Sequence, residues 1–161
     1  MIVVSDTSPL HYLILCGVQD LLAQLFTQVV IPPTVFQELQ QSRTPPEVRV
    51  WAASGLPAWV RLQAPSVLDS TLNVDEGEME AICLAREIRA AAILMDDRAG
   101  RAAALRCGLV VAGTVGILEA AAARGLIQLP EIVERLRQTN ARLDPELLAA
   151  ALERDRVRRN R

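Results

Sequence analysis

Four segments of this 161-residue chain carry acids at places where chemistry could occur. Asp6 ends the apolar run "IVVS", and Glu38 lies in "PPTVFQELQQ". Glu80 closes the acidic stretch "NVDEGEME", and Asp96 and Asp97 follow "AAILM". Gathered in a partly dry cleft, these carboxylates would repel one another, and burying any of them requires a partner or a cation. A hard divalent ion meets that need, because Mg2+ and Mn2+ accept oxygen ligands and Mg2+ keeps several waters. One such water, activated by metal and carboxylate, can attack a phosphodiester. Zinc fits less well, since the cysteines Cys16, Cys83 and Cys107 lie among apolar residues without CxxC spacing and His11 is the only histidine. His11 itself sits on an apolar helix and reads as a partly buried structural residue.

Each acid also has a structural reading. Asp6 could simply close a turn, helped by Thr7 and Ser8. Glu38 borders the buried side of its helix, marked by Val35, Phe36 and Leu39, yet could still be a surface residue. Asp75 and Glu78 form a D-x-x-E capping box, and acids in a first turn favour the helix dipole, so Asp75, Glu76 and Glu78 are explained by capping alone. Glu80 resists that explanation. It shares a face with Glu76, Cys83, Leu84 and Glu87, and no basic residue lies between Asp69 and Glu80 to neutralise it. Of the Asp96–Asp97 pair, one is expected to coordinate and the other to cap the next helix, with Asp97 favoured as the ligand.

The elements that would position these acids alternate. "IVVS", "QVVI", "WVRLQ", "AAILM" and "LVVAG" read as short strands. Helices fit between Ser8-Pro9 and Gly17, around Leu21–Leu25, through Pro33–Gln41, around Val48 and Trp51, after Asp75, from Arg98 to Gly108, and in three C-terminal stretches. This alternation predicts a parallel sheet with helices on both faces, and such sheets build sites beyond the carboxyl ends of their strands. Net charge is −2 and pI about 5.5, so overall basicity does not advertise nucleic acid. All 17 basic residues are arginine, which excludes any lysine-dependent mechanism, including receiver and phosphate-loop chemistry. A haloacid-dehalogenase-type phosphatase would want D-x-D at the first strand, and Ser8 stands two residues after Asp6. The start has no basic leader and no apolar run approaches about 20 residues, so a cytoplasmic chain without a membrane span is expected.

Five pieces, "VVSDTSPL", "IPPTVFQEL", "DEGEMEAICLA", "ILMDDRAGR" and "GLVVAGTVGILEAA", resemble PIN-domain proteins in order and over about three quarters of the chain. The likeness is to a prokaryotic PIN-like subfamily related to toxin nucleases of the VapC kind. It implies a three-layer α/β/α sandwich around a mainly parallel sheet, and a Mg2+- or Mn2+-dependent nuclease acting on RNA. By position, Asp6, Glu38, Glu80 and Asp97 match the four catalytic acids. Asp6, Glu80 and Asp97 are the implied metal ligands, with Asp96 able to substitute. Glu80 stands where the wider family more often has Asp, which lengthens one ligand arm. Thr7, Ser8 and Glu76 are auxiliary candidates.

Arg98, Arg101 and Arg43 are candidate phosphate contacts, because guanidinium groups grip phosphate with paired hydrogen bonds. The run "ERDRVRRNR" adds five arginines, either a solvated helix end or a contact surface. The expected organisation is one PIN-like domain over 1–161, with a core of about 1–127 and a helical extension of about 128–161. The implied partners are RNA, a small antitoxin protein and a second copy of the chain. The competing reading is a catalytically weak module of the same fold that binds RNA or protein.

Overall fold

The computed structural model describes residues 1–161. Five strands form one sheet in the order β3-β2-β1-β4-β5, every neighbouring pair parallel. They are β1 (Ile2–Ser5), β2 (Gln28–Ile31), β3 (Val60–Leu62), β4 (Ala92–Leu94) and β5 (Val111–Ala112). Alternation along β1 sends Val3 into one core and Val4 into the other, as a strand covered on both faces requires. Val3, Val29, Ile31 and Leu94 pack under α1 (Thr7–Leu15), α2 (Leu21–Leu25), α4 (Pro46–Ala53) and α7 (Thr114–Ala123). Val4, Val30, Ile93 and Met95 pack on the other face against α5 (Glu76–Glu87) and α6 (Arg98–Arg106). The result is the expected α/β/α sandwich.

Local chemistry sets the boundaries. Helix α1 begins at Thr7 behind Asp6, two residues earlier than a Ser8 cap followed by Pro9 suggests. Helix α3 (Pro33–Glu38) starts at a proline whose missing N–H costs nothing there, and it ends at Glu38 rather than running on through Gln41. The Asp75–Glu78 capping box is present: Glu78 N–H donates to Asp75 at 2.8 Å, and Asp75 N–H to Glu78 at 3.3 Å. Cys16 and Cys83 are buried free thiols, and Cys107 is half-buried. Helices α8 (Leu129–Arg137) and α9 (Pro145–Arg159) bury Leu129, Ile132, Leu136, Leu148 and Ala151 in the same core as Val3 and Leu94. No helix is long and apolar enough to cross a membrane.

The sheet turns at its centre. From β1 the chain winds outward to β2 and β3 on one side, then returns to β4 and β5 on the other. That reversal opens a crevice between the carboxyl ends of β1 and β4, where the Asp6 N–H donates to Leu94 O at 2.9 Å.

Candidate active site

Asp6 leaves β1 at the floor of this crevice and is only 6% exposed. Burial pushes its carboxyl up to about 7, helped by the charges of Asp75, Glu38 and Asp96, while the Thr7 backbone hydrogen bond opposes the shift. Glu38, at the end of α3, approaches from one side. Its carboxylate accepts from the Thr7 hydroxyl. Desolvation raises its pKa, as do Asp75 and Glu80, while the Thr7 hydrogen bond and Arg43 pull it down. Asp96, after β4, approaches from the other side. Both its oxygens are taken by Thr114, from N–H at 2.8 Å and hydroxyl at 2.6 Å. Burial raises Asp96 as well, against those two hydrogen bonds and Arg101.

Glu78 reaches the same crevice from α5. It is 5% exposed, and burial first, then Asp75, Asp97 and Asp6, push it up to about 8. The backbone makes room for these acids with glycine. A Cβ at Gly77 would lie 2.8 Å from Glu38 Oε1, and one at Gly100 would lie 3.0 Å from the Glu78 carboxyl carbon. Helix starts α5 and α6 therefore press against the carboxylates more closely than any side chain would allow. By sequence alone Glu78 reads as a cap and nothing more. It does cap α5, and its carboxyl also faces inward, against Gly100 of α6.

Glu80, half-buried, accepts a hydrogen bond from the Thr34 N–H at 2.9 Å and so steadies the start of α3, with its charge felt by Glu38. Asp97, and not Asp96, is the residue that caps α6, accepting from the Gly100 N–H at 3.1 Å through one oxygen. Its charge also acts on Glu78. Glu76 is exposed at the helix start. His11 is half-buried with Nε2 3.3 Å from Asn140, the structural role expected of it.

A cavity of about 800 Å³ opens beside Asp96 and Asp97, with Ser8, Arg98 and Arg101 on its walls. Arg101 donates to Met95 O at 2.9 Å, and Arg43 to Gln41 at 3.1 Å. Arg142, 41 residues beyond Arg101, lines the same cavity, and no local feature of the sequence connects it to the site. The C-terminal arginines are exposed, and four of them are ion-paired along the surface. Arg154 pairs with Glu119 at 2.8 Å, Arg156 with Glu153, and Arg158 and Arg159 with Asp155.

A family model described as a PIN domain matches residues 2–156, nearly the whole chain. The protein belongs to the PIN-domain family. Neither the curated proteins nor the solved structures contain a match. PIN domains are generally nucleases and typically use divalent metal ions.

The acids of this PIN domain suit such an ion in donor type, all hard oxygens with no competing sulfur or imidazole. They also suit it electrostatically, since burial holds four carboxyls above their usual range and repulsion from neighbouring acids adds to this at Asp6, Glu38 and Glu78. No three of them converge closely enough to form a ready-made cage.

Proposed function

We propose that this PIN domain is a Mg2+- or Mn2+-dependent endoribonuclease, the toxin of a toxin–antitoxin pair, acting as a homodimer and restrained by a small antitoxin protein. One observation carries the reading. Asp6, Glu38, Glu78 and Asp96 meet at the carboxyl edge of the sheet with no arginine bonded to any of their carboxylates, although the chain has 17 arginines. An acid cluster in which no carboxylate is ion-paired, and on which only Arg43 and Arg101 act from a distance, is suited to receive an external cation.

Asp6, Glu78 and Asp97 would hold the cation directly or through its waters, with Asp96, Glu38 and Glu80 around them. The ion would polarise the scissile phosphate and lower the pKa of an attacking water. Thr7 fixes Glu38 through its hydroxyl, and Thr114 fixes Asp96. Glu80 acts through Thr34, setting the pitch of α3 and hence the position of Glu38. Arg98 and Arg101 supply the positive wall along which a phosphate chain would run.

A second reading, a catalytically weak RNA- or protein-binding module, is favoured by the spread of the carboxylates. The two separate in one assay. A mixed RNA pool is incubated with Mn2+ or Mg2+ and the wild type, Asp6→Asn, Glu78→Gln or Glu80→Gln. Cation-dependent cleavage that is lost with Asp6→Asn and Glu78→Gln supports the nuclease. Intact RNA throughout, with no melting shift on adding Mn2+, supports the binding module.

A further inference from the structure

The cavity beside Asp96 and Asp97 extends well past the acids. Its far wall comes from the segment between α8 and α9, which contributes Arg142 and Leu143, and from Leu147 in α9. Its volume of about 800 Å³ lies in the range of pockets that enclose a single ligand of nucleotide size. Arg98 and Arg142 point no hydrogen bond or ion pair at any other part of the chain, so both guanidinium groups are available. The Arg154–Glu119 pair ties α9 to α7 and keeps this wall in place.

Gly116, in the first turns of α7, also lines the cavity. Glycine weakens a helix relative to alanine, so its presence needs a reason. At Gly77, Gly100 and Gly113 the reason is internal: an added Cβ would strike Glu38, Met95, or Arg101 and Asp96. At Gly116 an added Cβ meets nothing within 4 Å. The chain itself does not need that space; a flat ligand pressed against the helix would.

We propose that this cavity is a subsite for one unpaired nucleotide of the RNA substrate, its base lying over Gly116 and its phosphate held by Arg142 and Arg98. The inference rests on the nuclease reading and deepens it by making the C-terminal segment part of substrate recognition. Arg98, Arg101 and Arg142 share the lining with Asp96, Asp97, Glu119 and Asp144, of which Glu119 is paired with Arg154; the guanidinium groups of Arg98 and Arg142 suit a phosphate, and Val115, Leu143 and Leu147 offer a base apolar surface. A paired base in a duplex would be held out, because its faces are stacked.

The test measures binding of a fluorescein-labelled single-stranded RNA by anisotropy, with Mg2+, in an Asp6→Asn background that blocks cleavage. Gly116→Leu and Arg142→Ala are compared with that background, and each is checked by melting. Each should weaken single-strand binding about tenfold, the scale of one well-placed contact, while the melting temperature stays level or rises for Gly116→Leu. In the otherwise wild-type protein with Mn2+, the same two changes should raise KM more than they lower kcat. Unchanged affinity in both variants would overturn the subsite even if the enzyme cleaves RNA, and is the result expected were the cavity filled by a segment of a protein. Weakened binding in both, in a protein that never cleaves, would uphold the subsite and overturn the nuclease reading. An absence of RNA binding altogether would overturn both.

Discussion

Asp6 and Asp155 are almost equally buried, 6% and 4% exposed, and the chain handles them in opposite ways. Asp155, on α9, lies against Arg158 and Arg159, three and four residues along its own helix. Asp6 faces Glu38, Asp75 and Asp96 instead, and burial lifts it to about 7. The arginines are plentiful, so the difference is one of placement. Where the fold needs an acid neutralised, it supplies the counter-charge from the next turn of helix. At the sheet edge it collects acids from α3, α5, β1 and β4 and leaves their charge for something else to balance. A stability-driven design would not do this, because unpaired buried carboxylates cost free energy.

The largest effect expected from this contrast is on activity. Asp6→Asn and Glu78→Gln should each lower cation-dependent RNA cleavage by about 10²–10⁴-fold, the scale of losing a group at the reacting centre. Asp155→Asn should leave the rate within about twofold, because its effect is confined to folding. Initial rates on a single RNA decide the matter, and comparable losses at Asp6 and Asp155 would break the contrast.

In stability the order reverses. Asp155→Asn removes the charge between two partly exposed guanidinium groups and should cost about 1–2 kcal/mol in urea unfolding. Gly100→Ala should cost a similar amount, about 1–2 kcal/mol, since its Cβ would lie 2.6 Å from Met95 Sδ and 3.0 Å from the Glu78 carboxyl carbon. Gly116→Ala, with open space at the same atom, should instead stabilise by roughly 0.5 kcal/mol.

The pH dependence has a defined sign. Asp6 and Glu78 bind protons more tightly folded than unfolded, at about 7 and about 8 against ordinary values near 4. Their contribution to stability is therefore complete at low pH and is lost as pH rises through 7 and 8. Without divalent ions the melting temperature should fall between pH 6 and pH 8.5. Saturating Mg2+ should flatten that slope, because the ion takes over from the protons. A profile unaffected by Mg2+ would separate the acids from any metal role.

Much of the architecture was readable from alternation alone. "IVVS", "QVVI" and "AAILM" announce buried strands, and the D-x-x-E box announces the start of α5. Asp6, Glu38 and the Asp96–Asp97 pair could be singled out because each follows an apolar strand or borders an apolar helix face. Glu78 could not be separated from its capping role, since a cap that points outward and one that points into a crevice have the same local sequence. Only the approach of Gly100, 22 residues later, distinguishes them. The Asp97 cap on α6 and the Thr114 grip on Asp96 depend in the same way on contacts that adjacent residues cannot encode. Arg142 is the extreme case, joined to the site solely by the packing of α9 on α7.

The most direct test of the central claim is the melting temperature of wild type and Asp6→Asn at pH 8, each with and without Mn2+. Asp6→Asn should melt higher than wild type in the absence of cation, because it removes a buried charge worth on the order of 2–4 kcal/mol. Mn2+ should then raise the wild type and leave the variant nearly unmoved. A variant that melts lower than wild type, with neither protein responding to Mn2+, would mean that Asp6 is a structural residue and that the acid cluster receives no cation.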